Sequence, residues 1–324
     1  MPKEITHWTL AVKATRELQG KLAAAVRRNI NIYYAGAVIP DTPSYAIFGK
    51  NADMFAKTAS KIHGCSGENT FEPIQEYFKA VGPSPSEAEI AFALGVLAHF
   101  AADIAFHPFI YHFSGDYYSP NPAEGKEARR RHRMMETIID EHYMKEMKLE
   151  NGGWLTSTYR EIETSRDNFG ELASLMLFGE REKGRECIKA FKAHTFFQTL
   201  FRIPEVKLVT KAAGVIGKDV GEYLPLFYGT GLAEEARPLA KPVAYKNHVT
   251  GENKSDSLRS LEEKALILTS EFFILVQESI GYGSTYETFK ARQGASLETG
   301  LIGVKPQEPL HFDTSRDIPS ILFS

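Results

Sequence analysis

Residues 94–111 read LGVLAHFAADIAFHPFIY, and this stretch decides the fold. His99, Asp103 and His107 recur at four-residue intervals, so an α-helix projects all three from one face. The residues around them are almost all apolar, which predicts a helix that is buried nearly all round. A lone buried histidine is more often simply hydrogen-bonded. Three polar groups in register each need a partner, and a divalent cation would satisfy them together.

Length and composition are those of an ordinary globular protein. The 324 residues are 43% hydrophobic and 24% charged, enough for a large core. With 38 basic and 41 acidic residues, the net charge of −3 argues against a general electrostatic grip on nucleic acid. Cys65 and Cys187 form no CxxC pair, so we expect neither a disulfide scaffold nor a thiolate zinc site.

The N-terminal sequence MPKEITHWTLAVKATRELQ carries charges throughout and lacks an apolar core of signal-peptide length. No run of about 18 uncharged apolar residues stands out that would predict a transmembrane segment. We therefore expect a cytoplasmic protein.

Apolar periodicity predicts helices along most of the chain, and strand patterns are scarce, so the predicted fold class is all-α, a multi-helix bundle. Ser84 or Ser86 is the expected N-cap of the central helix, which runs to Tyr111. The other predicted helices span residues 6–28, 45–62, 70–81, 124–147, 158–177, 184–198, 203–217 and 257–280. We predict one helical domain over residues 1–292 and an irregular strap or tail over residues 293–324.

A second spaced set lies on the predicted helix 124–147. His132 and Glu136 form an HxxxE pair, which is also the spacing of an ordinary surface pair. Asp140 follows at another four-residue step and would either face the metals or orient a ligand imidazole. The neighbouring arginines are predicted to form a solvated face: Arg129, Arg130, Arg131 and Arg133.

Two further candidates lie at breaks in the helical pattern. Asp41 follows Gly36 and Pro40 and is placed on a loop, and His63 stands just past a predicted helix end. Each also has an ordinary structural interpretation, Asp41 as a turn aspartate and His63 as a favourable cation at a helix C-terminus.

Taken in order, His7, the Pro40–Asp41 pair, His63, AHFAADIAFHPF at 98–109 and HRMME at 132–136 resemble the zinc-dependent phospholipase C family. That family includes bacterial phosphatidylcholine-hydrolysing phospholipase C and the N-terminal domain of glycosylphosphatidylinositol-specific phospholipase D. Fungal single-strand nucleases share its fold and metal cluster. The resemblance covers roughly the first 150 residues, and the HxxxDxxxH spacing is more similar to the phospholipase D branch.

The resemblance implies a mostly helical fold around a cluster of zinc ions. One zinc would be held by Asp41, His63, His99 and Asp103, with Asp103 bridging to a second site to which His7 belongs. Another zinc would be held by His107, His132 and Glu136. Nitrogen and oxygen ligands without thiolates suit hydrolytic zinc. Secreted members complete one site with an N-terminal Trp, whereas six residues precede His7 here, so we expect two or three Zn²⁺ ions.

By the same resemblance we expect a zinc-dependent phosphodiester hydrolase, phospholipase C-like, in which a zinc-bridged hydroxide attacks phosphorus in line. Asp41 is the expected catalytic residue, which orients or deprotonates the water. The expected substrate is a phospholipid or another phosphodiester, reached by transient contact with a membrane surface. The candidates for an aromatic approach, with core packing as the alternative, are Tyr33, Tyr34, Tyr117 and Tyr118.

Two alternatives stay open at this point. One is a nuclease or small-molecule phosphodiesterase on the same fold, and the other is a non-catalytic metal-stabilised or lipid-binding protein. A di-iron bundle is disfavoured because Glu4–His7 lies at the extreme N-terminus and Glu308–His311 contains Pro309. An HD-type phosphohydrolase is disfavoured because the chain has no adjacent His-Asp pair.

Overall fold

The computed structural model describes residues 3–146, 160–162, 166–215, 220–229, 237–282, 285–305, 308 and 311–315. The α-helices bounded within these ranges are α1 (Glu4–Ala14), α2 (Gly20–Arg28), α3 (Ile30–Gly36), α4 (Ala52–His63), α5 (Glu72–Val81), α6 (Glu87–Ser114), α7 (Pro122–Glu146), α8 (Arg166–Phe178), α9 (Gly184–Leu200), α10 (Pro204–Val215), α11 (Leu258–Tyr282) and α12 (Thr285–Lys290). Short 3-10 turns lie at Thr15–Glu17, Thr42–Tyr45, Gly221–Leu226 and Arg237–Ala240.

The predicted all-α fold class is confirmed, with one small addition. Strands β1 (Val243–Lys246) and β2 (Asn253–Asp256) pair as an antiparallel hairpin in which Val243 lies opposite Asp256. Each strand has four residues and the second is entirely polar. Such short segments carry too little alternation to be recognised from sequence.

Helix α6 is the centre of the molecule. Ser86 caps its first turn in a reciprocal capping box with Glu89, which confirms one of the two predicted N-caps. By length and apolarity α6 could cross a membrane, yet 89% of its most apolar 18-residue window is buried inside the protein. Helices α1, α2, α3, α7 and α11 pack around it, so α6 is the core helix.

Helices α3 and α6 cross at two glycines. A Cβ on Gly36 would collide with the backbone oxygen of Phe92, and one on Gly95 with the backbone oxygen of Tyr33. Only glycine allows the two backbones to come so close. The approach also brings the carbonyl of Ala37 against His99.

Several local predictions are wrong. The predicted helix over residues 6–28 is interrupted, because α1 ends at Ala14 and α2 begins at Gly20, where φ is +59°. The helix predicted from residue 45 begins at Ala52. Arg131 does not belong to a solvated face, since it is buried and its Nε donates to the carbonyl of Phe113 at 3.0 Å.

The chain beyond residue 292 is irregular where it is described, and we call residues 293–300 the strap. Asn69 and Thr70 anchor it to the start of α5. The Asn69 side-chain oxygen accepts from the Gly294 amide at 2.6 Å, and the Thr70 hydroxyl donates to the Ala295 carbonyl at 2.6 Å. The division into a domain over residues 1–292 and a strap or tail beyond it stays a prediction. Residues 316–324 of that predicted tail lie outside the described residues.

Candidate metal centre

All eight predicted ligand residues are buried and come together around α6. Helix α1 supplies one histidine, the loop after α3 one aspartate, the end of α4 another histidine, and α6 and α7 the remainder. The eight residues are His7, Asp41, His63, His99, Asp103, His107, His132 and Glu136.

The four-ligand group consists of Asp41, His63, His99 and Asp103, whose ligand atoms all lie within 4.8 Å of one another. Asp41 Oδ1 lies 3.2 Å from His63 Nε2 and 3.4 Å from His99 Nε2. Asp103 Oδ2 lies 3.2 Å from His99 Nε2, one helical turn away on α6. This spacing could place all four donors around a single cation.

The three-ligand group consists of His107, His132 and Glu136, whose ligand atoms also lie within 4.8 Å of one another. His132 and Glu136 face the same side of α7, with Nε2 2.9 Å from Oε1. His107 on α6 places its Nε2 4.0 Å from the same oxygen. Three protein donors leave room for a further ligand on a tetrahedral ion.

Asp103 lies between the two groups. Its Oδ2 faces the four-ligand group, while Oδ1 lies 4.0 Å from His107 Nε2 and 3.5 Å from His7 Nε2. His7 stacks on the ring of His99 at a centroid distance of 3.8 Å. The two groups and His7 therefore form one continuous centre, with the Asp103 carboxylate in its middle.

Backbone carbonyls fix the orientation of three imidazoles. His63 Nδ1 donates to Ala59 at 2.7 Å, and His99 Nδ1 donates to Ala37 at 2.9 Å. His107 Nδ1 donates to Leu297 in the strap at 2.5 Å. A carbonyl can only accept, so each Nδ1 carries a proton and each Nε2 faces the carboxylates, the arrangement of histidine ligands in many metal sites.

The centre leaves buried polar atoms without hydrogen bonds, and this tests whether zinc fits. Within the part of the chain that the structure describes, both ring nitrogens of His7, both oxygens of Asp103 and the Nε2 atoms of His99 and His107 have no hydrogen-bond partner. Leaving such atoms unsatisfied in a core is costly. All are nitrogen or carboxylate donors, the set that zinc uses in hydrolytic sites, so these residues fit zinc.

Burial also sets protonation states that suit metal binding. It lowers the pKa of His7 and His107 well below the usual range, so both rings are neutral at pH 7. Burial alone would raise the pKa of Asp41, but the charge of His99 and a hydrogen bond with His63 outweigh it and hold that pKa below its usual range. Burial alone would lower the pKa of His99, but Asp41 and Asp103 in turn raise it. Neutral imidazoles and an ionised carboxylate are the forms that coordinate cations.

Asp140 positions His7 through helix α1. Its carboxylate accepts hydrogen bonds from the amides of Ile5 and Thr6, at 3.3 and 2.8 Å, and from the Thr6 hydroxyl at 2.6 Å. The N-cap residue Lys3 makes no side-chain cap hydrogen bond. Asp140 from α7 instead accepts from the free amides of the first turn of α1. Neither role predicted for Asp140 describes these contacts, because its partners are the amides and hydroxyl of the helix that carries His7 and the Tyr228 hydroxyl, which donates at 2.7 Å.

A cavity of about 620 Å³ opens onto the centre. Five of the eight candidates line it: Asp41, His63, His107, His132 and Glu136. Tyr117 and Tyr118 also line it, as predicted for an aromatic approach. The prediction is wrong for Tyr33, which is fully buried and donates to the carbonyl of Ala11 at 2.8 Å; Tyr34 packs against the core.

Two carboxylates in the cavity wall were missed from the sequence. Glu298 in the strap accepts from the Tyr118 hydroxyl at 2.7 Å and from the Cys65 thiol at 3.0 Å. Glu4 accepts from His194 Nε2 at 2.5 Å and from Gln198 at 2.6 Å. The Glu4–His7 spacing of three residues places both on one face of α1 and could have revealed Glu4; no local pattern marks Glu298.

Comparison with known proteins agrees with this geometry. A family model described as zinc-dependent phospholipase C matches residues 6–178, more than half of the chain. Searches of curated proteins and of solved structures found no match. All eight residues of the centre fall inside the matched span, from α1 to α7, whereas the strap lies outside it. On this match the chain belongs to the zinc-dependent phospholipase C family.

Proposed function

We propose that this protein is a zinc-dependent phosphodiester hydrolase that cleaves phospholipids in the manner of a phospholipase C. The observation that carries the proposal is the position of Asp103. One carboxylate lies between two ligand groups, and members of both groups line a cavity large enough for a phosphodiester with its flanking groups.

The proposed zinc ligands are the seven residues of the two groups, which suffice for two ions. His7 and the near oxygen of Asp103 offer donors for a third. When bound, zinc supplies a Lewis acid that brings the pKa of water towards neutrality and offsets negative charge on phosphoryl oxygens.

Asp41 is the proposed catalytic carboxylate. It lies on a loop, lines the cavity and is ionised because the charge of His99 and a hydrogen bond with His63 hold its pKa down despite burial. It can therefore orient a water molecule towards phosphorus and accept its proton. The Cys65 thiol is a poor alternative nucleophile, because burial raises its pKa and the S–H donates to Glu298.

The apolar part of the cavity lining favours a lipid over a nucleotide. Besides the candidate ligands, the lining includes a group of apolar and aromatic side chains: Phe197, Leu200, Phe201, Leu226 and Phe227. Such walls exclude water and can receive the glycerol and acyl portions of a phospholipid. The acidic net charge of −3 offers no general attraction for a polyanion.

A purely structural metal centre is the alternative from another class. A structural zinc site is closed, with all positions filled by protein ligands. Here the cavity reaches residues of both groups, including Asp41 and His107, which supports access for water and substrate. A nuclease or a small-molecule phosphodiesterase would use the same centre and would differ only in its substrate.

The test starts with metal content and ends with products. Protein purified without added metal is analysed by mass spectrometry, and two or three zinc ions per chain are expected. The same protein is then given phosphatidylcholine, a single-stranded oligonucleotide and bis(p-nitrophenyl) phosphate, each with a chelated and a zinc-restored control.

Zinc-dependent release of diacylglycerol supports the proposal. Release of phosphatidic acid would place cleavage on the other side of phosphorus. Turnover of only the oligonucleotide or the soluble diester would favour the nuclease or small-molecule alternative, and folded protein without zinc would favour a non-catalytic role.

A further inference from the structure

Six large apolar side chains are exposed at or close in sequence to residues that line the cavity. We call them the apolar rim: Ile47, Phe48, Phe196, Leu208, Val209 and Tyr223. Phe48 is 80% exposed, and Leu208 and Val209 are each 68% exposed. Single exposed apolar residues are ordinary, but a set gathered at one cavity marks a surface that binds something.

The apolar rim is continuous with the inner wall of the cavity. Ile47 and Tyr223 are exposed and also line the cavity. The ring of Phe48 stacks on Phe197, a lining residue, at a centroid distance of 6.4 Å. Thr210, which follows Val209 on α10, lines it as well. The exposed apolar residues are therefore contiguous with apolar residues of the cavity lining.

Helix α10 turns apolar side chains outward. Leu208 and Val209 face solvent, whereas the Lys207 ammonium reaches back to the carbonyls of Phe227 and Tyr228, at 3.2 and 3.4 Å. A surface helix of a globular protein ordinarily buries its apolar residues and exposes its lysines. Helices that lie in a lipid interface show the outward apolar face seen here.

The segment that carries three of the six rim residues is mostly basic, although the chain as a whole is acidic. Residues 192–211 contain four basic residues, Lys192, Arg202, Lys207 and Lys211, and one acidic residue, Glu205. Lys50, two residues after Phe48, is exposed, as are Lys192 and Lys211. Apolar side chains flanked by lysines match the surface of a bilayer that contains anionic lipids.

We propose that the apolar rim docks on an anionic phospholipid bilayer and holds the cavity mouth against the membrane. A lipid would then enter the cavity directly from the bilayer. The identity of the molecule that enters rests on the proposed function, but the docking itself does not.

The test measures vesicle binding by the zinc-loaded full chain. Sedimentation is compared for vesicles of phosphatidylcholine alone and of phosphatidylcholine with phosphatidylglycerol. The triple variant F48Q/L208Q/V209Q removes exposed apolar area, and we expect its partition coefficient to fall by about 30-fold or more. The matched control I267Q/I274Q changes two side chains of α11 that are 62% and 53% exposed and lie outside the cavity lining. It should bind vesicles as the wild type does.

The charge contribution is tested by K50Q/K192Q/K211Q. This variant should lose the additional affinity for anionic vesicles and bind them only as weakly as neutral ones, and added salt should have the same effect on the wild type. Wild-type protein that fails to bind vesicles, or a rim variant that binds like the wild type, would overturn the docking proposal. A rim variant that changes the oligomeric state and leaves vesicle binding intact would assign the rim to a second copy of the chain.

Hydrolysis of bis(p-nitrophenyl) phosphate by the same proteins separates this proposal from the proposed function. The rim variant should retain that activity while losing turnover of vesicle lipid. Binding through the rim without any diesterase activity would leave docking in place and remove the hydrolase. Turnover of vesicle lipid that is the same in the rim variant as in the wild type would support the hydrolase and remove the docking proposal.

Discussion

His107 Nδ1 donates to the carbonyl oxygen of Leu297 at 2.5 Å, although 190 residues separate the two in the chain. The amide of Leu297 also donates to the carbonyl of His63 at 3.0 Å. One residue of the strap therefore touches a ligand from each group. Because the family match ends at residue 178, these supports come from outside the matched span.

Loosening the strap should weaken zinc binding although no ligand is changed. The double variant N69A/T70V removes the side-chain oxygens that hold Gly294 and Ala295. With His107 less firmly oriented, zinc affinity measured by chelator competition should fall by about 10-fold or more, as for other outer hydrogen-bond partners of ligands.

The matched control for this variant is T58V, whose hydroxyl only donates to Met54 within α4. Zinc affinity should be unchanged in the control. A chain ending at Arg292 should lose zinc from the three-ligand group; if the N69A/T70V variant binds zinc as tightly as the wild type, the strap does not support the centre.

Removing the central carboxylate charge should disable both ligand groups. Asp103→Asn keeps the side-chain shape, and His99→Ala removes a neighbour from the four-ligand group. We expect both variants to lose zinc and, with it, about 10³-fold in diesterase kcat/KM. Metal content and activity are measured on the same samples, with His142→Ala on α7 as the control. Activity retained by metal-depleted Asp103→Asn protein would refute the proposed use of the centre.

A methyl group at the crossing of α3 and α6 should be damaging. Gly95→Ala forces its Cβ against the backbone oxygen of Tyr33, and the helices must separate. Denaturant unfolding should show a loss of about 3 kcal/mol, and zinc affinity should also fall as Ala37 withdraws from His99. Gly214→Ala on α10 is the control, because the nearest atom to its added Cβ would be 3.7 Å away. Equal stability of the two variants would contradict the close approach.

Stability at acidic pH should depend on Asp140. Burial raises its pKa to about 6 from the usual 3.8, so between these values the folded protein binds more protons than the unfolded chain. Asp140 therefore makes its full contribution to the free energy of unfolding below about pH 4. This contribution is lost as the pH rises through about 6, a change on the order of 3 kcal/mol.

Asp140→Asn cannot titrate, so subtracting its unfolding free energy from that of the wild type isolates this contribution. Denaturant unfolding of the two proteins is compared from about pH 4 to pH 7. The difference should drop across that window. A difference that stays constant would mean that Asp140 has the same pKa in both states.

The candidate ligands that the sequence could predict were related either by local spacing or by the resemblance to a family. His99, Asp103 and His107 lie on one helix, so their four-residue spacing alone placed them on a common face. Spacing could not relate Asp41 or His63 to them, because those residues lie on other elements. For that pair, and for His7, the resemblance to a family was needed.

Other features depend on contacts that no local pattern encodes. Arg131 lies among arginines whose sequence pattern predicted a solvent-exposed face, yet its side chain donates to the carbonyl of Phe113 on α6. Asp140 continues the spacing of His132 and Glu136, but its carboxylate binds amides in the first turn of α1. Leu297 lies in an irregular segment, where neither periodicity nor composition marks a contact with His107.

The strap also bears on the order of events during synthesis. Chains emerge from the ribosome N-terminal end first, and the family-matched span is made on the order of 10 s before Leu297. Until that residue arrives, His107 has no carbonyl to fix its tautomer. The metal centre is therefore completed only after Leu297 has been made, so a translation product that stops short of Leu297 cannot carry a fully formed centre.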